Sequence, residues 1–394
     1  MRAHGVDVVL ACQGNRQEIL TSTDLRDALA IDQRPVDTPI AELISWTLAT
    51  ATPETLLDRA VRLHQSRSLA ELAEEARAQV SWVHALVAKG MKVHYLGRLS
   101  RELDRQLLQK VASLLAAPEF LAHVCILVMG SEGRGEQIIR TDQDNALLAD
   151  AHCSDQEIHC FRHAFTSALL QLGYPVCPGD VMMSNPRWGS RLADFKDRMR
   201  TWMENPTPDN LMQLAICYDA RAVVGNVGLF LEARDFFMAH LPNDQAFYAH
   251  FAMPVLAFKT PLGLFKRFIV EKGDKQGQID LKKSGIFPIV HGVRSLALEQ
   301  RLLDPNTVRR IRGLVRCGVL ERAFGMDLIE AFDFVSGLRI KVRLDYLVHS
   351  KPATDFLLLN TLGRLDRENL RDCFVLVDRF KQLVSYHFRL QSLQ

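Results

Sequence analysis

Two short apolar runs, separated by a polar and glycine-rich segment, constrain the fold of this chain more than any other feature. The first reads HVCILVMG (123–130) and the second reads DNALLAD (144–150). Continuous apolar runs of about four to eight residues that end at turn residues are typical of buried β-strands. We therefore predict two buried strands joined by the polar segment.

Helical periodicity surrounds these two strands. Ser68 and Glu71 form a predicted capping box, and apolar residues follow at helical spacing up to Gly90. Further amphipathic helices are predicted in VHYLGRLSRELDRQLLQKVASLLAA and EIHCFRHAFTSALLQLGY, and a short strand in VMMS (181–184). After NPTPDN (205–210) nearly every segment has helical periodicity with short Gly/Pro breaks, as in a helical bundle.

Composition narrows the class of protein. The chain has 394 residues, 48% hydrophobic and 24% charged, which are globular values and exclude a disordered or fibrous chain. The net charge of +2 gives no reason to expect nucleic-acid binding. We find neither a signal peptide nor an uncharged run that could span a bilayer, and the eight cysteines have no regular spacing. These features predict a cytoplasmic protein with reduced thiols and no membrane partner.

The polar segment carries residues suited to phosphates and metal ions. Backbone N–H groups at a helix start, approached closely beside Gly130, can hold phosphate oxygens. Side chains alternate along a strand, so Asp142 and Asp144 should share one face with Gln143 on the other. Two carboxylates on one face repel each other, and a divalent cation removes the conflict. The alternatives are a tight structural turn for the glycines and an exposed turn for TDQDN.

The same residues resemble a known superfamily. Gly-Ser at a strand end followed by Asp-x-Asp is similar to the DNA polymerase β-like nucleotidyltransferases, and G-S-x-G-R-x-E…T-D-x-D to the branch that includes the uridylyltransferase of nitrogen signalling. TDQDNALL, CPGDVMMSNPRW and DLKKSGIFPIVHGVRSLAL resemble a bacterial group of nucleotidyltransferase-like proteins. That group often follows CBS modules and has a helical C-terminal domain. The resemblance covers about residues 70–390.

The resemblance implies a role for each matching residue. The nucleotide would be bound by a set of loop and basic residues: Gly130, Ser131, Gly133, Arg134, Lys282 and Lys283. Asp142 and Asp144 would bind Mg²⁺ or Mn²⁺. Glu136 would be the counter-charge of Arg134, with a solvated surface pair as the alternative. Asp180 is the candidate third carboxylate, with a turn aspartate as the alternative. His291 and Arg294 would join the two lysines in a basic wall that faces the nucleotide phosphates or the acceptor, with a bundle loop of solvated lysines as the alternative.

The resemblance also divides the chain. Two short strands, VDVVLAC and QEILTS, are predicted around the turn QGNR, with a helix in TDLRDALA after them. Residues 1–50 resemble the closing part of a CBS module, with Thr21, Ser22, Thr23 and Asp24 in its ribose- or phosphate-binding element; the alternative for these four residues is a capped helix start. Residues 51–68 form a helical linker. Residues 69–205 would be an α/β (α+β) nucleotidyltransferase core with a small mixed sheet. Residues 206–394 would be an all-α, substrate-binding bundle. The partial module predicts assembly with another chain, such as a homo-oligomer, rather than a ligand site.

Two functions from different classes follow. The first is a Mg²⁺-dependent nucleotidyltransferase of signal transduction, which moves NMP from an NTP to an acceptor hydroxyl, with a regulatory protein among the acceptors. The second is a catalytically inactive, nucleotide-binding sensor. An interaction scaffold is a third option. A zinc site in the segment HCSDQEIHCFRH (152–163), where His159 and His163 share a helical face at i, i+4, is a separate hypothesis, but the paired cysteines of structural zinc sites are absent there. Arg339 and Arg343 are predicted to form salt bridges within the bundle.

Overall fold

The computed structural model describes residues 8–13, 16–21, 56–89, 91, 93–263, 266–271, 273–349 and 351–393. These residues divide between two compact units. The first contains Met1–Phe195 and Ala220–Ala233, and the second contains Lys196–Asp219 and Arg234–Gln394. The first unit is α/β and the second is mainly helical, as the sequence predicts.

A four-stranded mixed sheet lies at the centre of the first unit. Its strands are β3 (Val124–Val128), β4 (Asn145–Ala149), β5 (Gly189–Arg191) and β6 (Arg221–Gly225), in the order β5-β4-β3-β6. β3 is antiparallel to both β4 and β6, and β4 is parallel to β5. Every residue of β3 and β4 is buried, which explains why both strands are continuous apolar runs.

Helices of the first unit are arranged around this sheet. In chain order, those that lie wholly in this unit are α1 (Leu56–Gln65), α2 (Leu69–Ala88), α3 (Val93–Leu115), α4 (Pro118–Leu121), α5 (Gly130–Gly133) and α6 (Asp155–Gln171). Two more are shared with the second unit: α7 (Leu192–Glu204) begins in the first unit and ends in the second, and so does α9 (Val227–His240). The Ser68 side chain accepts the Glu71 N–H at the start of α2, which confirms the N-cap of the predicted capping box. The second bond of the box differs, because the Glu71 carboxylate accepts the Arg67 N–H instead of the Ser68 N–H.

Two sequence predictions about strands are wrong. VMMS (181–184) forms a turn instead of a strand, and the edge strand β5 follows it at Gly189. The periodic segment after residue 210 is helical only to Tyr218, and β6 then pairs with β3. A strand of five residues leaves too short a pattern to separate from the helix before it.

The second unit is a helical bundle. Its further helices are α8 (Pro208–Tyr218), α10 (Gln245–Ala252), α11 (Phe287–Glu299), α12 (Thr307–Arg316), α13 (Arg322–Val348) and α14 (Arg364–His387), with a small antiparallel pair of strands, β7 (Gln278–Asp280) and β8 (Phe356–Leu358). Arg339 and Arg343 on α13 both donate to Asp355, which confirms the predicted salt bridges. Within the described ranges, no helix combines the length and apolar character that a membrane crossing requires.

The N-terminal strands β1 (Val8–Gln13) and β2 (Arg16–Thr21) form an antiparallel hairpin. This confirms the two short strands predicted around the turn QGNR. The predicted helix TDLRDALA and the residues Ser22, Thr23 and Asp24 lie outside the described part of the chain.

Candidate functional site

A sharp turn connects β3 to the polar segment. Gly130 has a φ of 56°, in the left-handed region, and begins the single helical turn α5. A Cβ atom on Gly130 would lie 3.2 Å from the carboxyl carbon of Asp144 and would overlap its Oδ2 atom. Two independent constraints, backbone conformation and close approach, therefore require glycine at this position.

Asp142 and Asp144 lie in the segment immediately before β4, rather than within the strand. The backbone continues the strand pattern, because the Met129 N–H donates to the Asp144 carbonyl at 2.9 Å. Gln143 between them is buried, and its amide lies 3.3 Å from the carbonyls of Thr166 and Tyr174. The two aspartates thus alternate with Gln143 as predicted, and both are half-buried.

Cys177 joins the two aspartates. One carboxylate oxygen each of Asp142 and Asp144 and the Cys177 Sγ atom all lie within 4.8 Å of one another. Cys177 begins a tight turn in which the Asp180 N–H donates to the Cys177 carbonyl at 2.9 Å. Burial raises the pKa of the Cys177 thiol to about 11, the negative charge of Asp144 adds to the rise, and backbone N–H groups oppose it. The thiol is therefore protonated at neutral pH.

The two carboxylates fit a divalent cation. One oxygen of each lies within 4.8 Å of one oxygen of the other, and oxygen ligands are those that Mg²⁺ and Mn²⁺ prefer. Gly130 leaves the space into which the Asp144 carboxylate projects. Cys177 is a different kind of ligand, because thiolates favour softer metals than Mg²⁺. Sequence reasoning missed Cys177, whose one signal was its place three residues before Asp180 in CPGD.

Asp180 occupies the outer side of the same turn. Its φ is 53°, its side chain is exposed, and its Oδ2 accepts a hydrogen bond from Asn185 Nδ2 at 2.8 Å. Asp180 is not part of the group formed by Asp142, Asp144 and Cys177. The turn therefore presents Cys177, and not Asp180, to the two aspartates.

The predicted loop residues form local contacts. The Ser131 hydroxyl donates to Gln137 Oε1 at 3.3 Å, and Thr141 donates to the same oxygen at 2.8 Å. Arg134 Nε lies 2.7 Å from Glu136 Oε2, so the predicted counter-charge is confirmed. These two side chains are only 11% and 12% exposed, which excludes a solvated surface pair.

A buried carboxyl group lies within the same turn. Glu132 on α5 is buried, and its carbonyl accepts a hydrogen bond from Arg221 on β6 at 3.1 Å. Burial raises the pKa of Glu132 to about 8, the negative charges of Asp104 and Asp144 add to the rise, and Arg221 opposes it. Glu132 therefore holds a proton over much of the neutral range.

Asp104 is a second buried carboxyl group that sequence reasoning missed. It accepts a hydrogen bond from Gln79 Nε2 at 3.1 Å, and burial raises its pKa although Arg140 opposes the rise. Asp104 falls at four-residue spacing between Ser100 and Leu108 on the buried face of α3. An acidic residue on a helix face whose neighbouring positions are buried is the sequence signal that could have identified Asp104.

The predicted basic wall belongs to the second unit and is only partly formed. Lys282 and Lys283 are exposed, and Lys283 Nζ lies 5.6 Å from the centre of the Phe258 ring. The prediction is wrong for His291 and Arg294, which point into a buried network. His291 Nε2 donates to the Phe251 carbonyl at 2.8 Å, and Arg294 forms an ion pair with the buried Asp219.

The histidine-rich segment is arranged differently from the zinc hypothesis. His152 and His123 both lie against Asp150, with Nδ1 to carboxylate distances of 3.2 and 2.8 Å. The His159 and His163 rings are 4.5 Å apart on α6, as their spacing predicts. One nitrogen each of His123 and His152 and one Asp150 oxygen lie within 4.8 Å of one another, so this group could hold a metal ion. In the part of the chain that the structure describes, His159 and His163 join no such group.

The structure places a glycine turn at a strand end beside a pair of aspartates before the neighbouring strand of a small mixed sheet, the arrangement expected from the resemblance to nucleotidyltransferases. The comparisons with known families agree. Residues 77–209 match the family model "Putative nucleotidyltransferase DUF294". Residues 245–388 match the model "Putative nucleotidyltransferase substrate binding domain". The chain thus belongs to the nucleotidyltransferase family that these two models describe, and together they cover more than two thirds of it. No curated protein matches the chain.

Proposed function

We propose that the Gly130–Gly133 turn, Asp142 and Asp144 bind a nucleoside triphosphate together with Mg²⁺ or Mn²⁺, and that the protein transfers NMP to an acceptor hydroxyl. The contact between Gly130 and the Asp144 carboxylate is the observation on which this proposal rests. It brings a strand-end turn of backbone N–H groups against a carboxylate pair. Such N–H groups suit phosphate oxygens, and such carboxylates suit a cation that also contacts them.

In this reaction the acceptor oxygen attacks the α-phosphorus in line with the bond to pyrophosphate, which then leaves. A bound divalent cation would stabilise the negative charge that develops on the phosphate oxygens. Asp142 and Asp144 would hold the cation, and the N–H groups of the turn beginning at Gly130 would orient the triphosphate. Ser131, Gly133 and the Arg134–Glu136 pair would shape and stabilise that turn.

The domain division belongs to the same proposal. The transferase core would comprise residues 69–205 together with β6, and the remaining part of 206–394 would bind the acceptor, as the description of the matching C-terminal model supports. Lys282 and Lys283 are exposed ammonium groups in that part, suited to phosphate or acidic groups. We propose a regulatory protein as one class of acceptor, which would place the enzyme in signal transduction.

Residues 1–50 are proposed to serve assembly as part of a CBS-like module. The hairpin of β1 and β2 is consistent with this proposal, because a two-stranded sheet requires another surface to cover it. Deletion of residues 1–50 should therefore change the oligomeric mass measured by light scattering and leave NTP affinity unchanged. Loss of NTP affinity on deletion would contradict this assignment.

Metal-dependent binding tests the site. Calorimetry with ATP, UTP, GTP and CTP should show binding in the presence of Mg²⁺ or Mn²⁺ that is lost in Asp142→Asn/Asp144→Asn. Asp155→Asn is the matched control, because Asp155 is an exposed carboxylate of the same unit. Equal affinity of the double variant and the control would overturn the proposed site.

Pyrophosphate release tests catalysis, with cell extract as the source of acceptor. Asp144→Ala should lower the rate at least about a hundredfold, which corresponds to roughly 3 kcal/mol of transition-state stabilisation. Asp180→Ala should change the rate by less than about threefold if Asp180 serves only the turn, and as much as Asp144→Ala if it is the third carboxylate.

The inactive sensor is the second candidate function, and one observation favours it: the third group beside the aspartates is a thiol rather than a carboxylate. Tight NTP binding without pyrophosphate release above the Asp142→Asn/Asp144→Asn control, with every NTP, would establish the sensor instead of the enzyme.

A further inference from the structure

Cys177 is the third side chain of the group that it forms with Asp142 and Asp144, whose ligand atoms could hold a metal ion. Its sulfur lies within 4.8 Å of the ligand oxygens of both Asp142 and Asp144, and the three residues come from two different loops. Only 6% of Cys177 is exposed, whereas both aspartates are half-buried. Solvent therefore reaches the group from the side of the aspartates, and the sulfur lies at its inner end.

The surroundings of the sulfur are polar. One carboxylate oxygen each of Asp142 and Asp144 lies within 4.8 Å of it. The thiolate is the form of cysteine that binds metals, and two carboxylates at this distance could supply the other protein ligands of the same ion.

The donor set decides which metals the group can hold. Two carboxylates alone suit Mg²⁺, but a thiolate adds strong affinity for softer divalent ions and little for Mg²⁺. We propose that Cys177 is a metal ligand which, with Asp142 and Asp144, forms a mixed thiolate–carboxylate site that binds thiophilic divalent metals of the Co²⁺, Zn²⁺ and Cd²⁺ class more tightly than Mg²⁺. This inference rests on the proposed function, since it assigns Asp142 and Asp144 to the same metal. Binding forms a metal–sulfur bond and releases the thiol proton to solvent, with no change of oxidation state.

The other described cysteines provide a contrast. Cys125 lies within the apolar strand β3, and the Cys153 thiol lies 3.7 Å from the His123 carbonyl beside the pair of histidines on Asp150. Cys160 and Cys317 are exposed. Cys153→Ser is therefore the informative control, because Cys153 is buried and near potential metal ligands but outside the group of Cys177.

Titration of the full chain with Co²⁺ alone tests the proposal, because a Co²⁺–thiolate bond gives a charge-transfer absorption in the near ultraviolet. We expect this band in the wild type and in Cys153→Ser, and not in Cys177→Ser. The affinity for Co²⁺ measured by calorimetry should fall at least about tenfold in Cys177→Ser. Asp142→Asn/Asp144→Asn retains the thiol but should also lose the band, and circular dichroism verifies that each variant is folded.

A band that persists in Cys177→Ser, or the absence of a band in the wild type, would overturn the proposal. A band that persists in Asp142→Asn/Asp144→Asn would also overturn it, because the thiol would then bind Co²⁺ without the carboxylates. Failure of the proposed function has a different signature. In that case the wild type would not bind Mg²⁺–NTP in calorimetry, whatever its Co²⁺ spectrum shows.

Discussion

Substitution of Gly130 by alanine should remove nucleotide binding while leaving the protein folded. The left-handed φ of 56° costs an alanine about 1–2 kcal/mol, a minor part of the roughly 5–15 kcal/mol that stabilises a typical domain. The new Cβ would also overlap Oδ2 of Asp144, the end of a side chain that can rotate away. That rotation costs little stability, but it displaces a proposed metal ligand. We therefore expect Mg²⁺-dependent NTP affinity to fall about a hundredfold, or roughly 3 kcal/mol.

Gly173→Ala separates the two effects. Gly173 has a φ of 87°, and a Cβ there would meet no atom within 4 Å. Both variants should lose similar stability in urea unfolding, because both force alanine into the left-handed region. Only Gly130→Ala should lose NTP binding in calorimetry. If both variants bind Mg²⁺–NTP as the wild type does, the contact between Gly130 and Asp144 has no part in binding, and the reasoning from it is refuted.

Two further predictions concern buried charges. Asp219→Ala leaves Arg294 and the fully buried Arg310 without their carboxylate, so we expect the free energy of unfolding of the second unit, measured in urea, to fall by about 3–5 kcal/mol. The control Asp197→Ala removes an exposed carboxylate and should lower it by at most about 1 kcal/mol. Equal losses in the two variants would contradict this prediction. Burial raises the pKa of Glu132 from an ordinary 4.5 to about 8, so the folded state holds a proton that the unfolded chain releases. The free energy of unfolding of the metal-free protein should therefore decrease as pH rises from about 4.5 to 8, and Glu132→Gln should flatten that decrease; an unchanged slope would contradict it.

Patterns within one element could be read from the sequence. The cap at Ser68, the helices after it and the buried strands β3 and β4 follow from backbone preference and side-chain periodicity, both of which act over a few residues. The alternation of Asp142, Gln143 and Asp144 is equally local, and the structure confirms it although the aspartates precede the strand.

Elements shorter than one or two helical turns, and contacts between distant residues, could not be predicted from the sequence. β6 has five residues next to a helix, and its position beside β3 depends on pairing between residues about 100 positions apart. Likewise, the sequence around His291 and Arg294 does not predict the ion pair between Arg294 and Asp219. Asp219 lies 75 residues before Arg294, and this pairing directs the Arg294 guanidinium into the protein. Such partners are selected by packing and desolvation, which the local sequence does not encode.

The candidate site shows the same division. The sequence by itself determined a glycine turn and two aspartates on one face, because chain geometry alone places them. Only the tertiary structure decided which further side chain joins them. Cys177 and Asp180 occupy one turn of four residues, and both lie more than thirty residues from Asp142 in the chain. The Gln143 N–H donates to the Pro175 carbonyl and the Asn145 N–H to the Val181 carbonyl, and these contacts hold that turn against the aspartate segment with the thiol inward and the carboxylate outward.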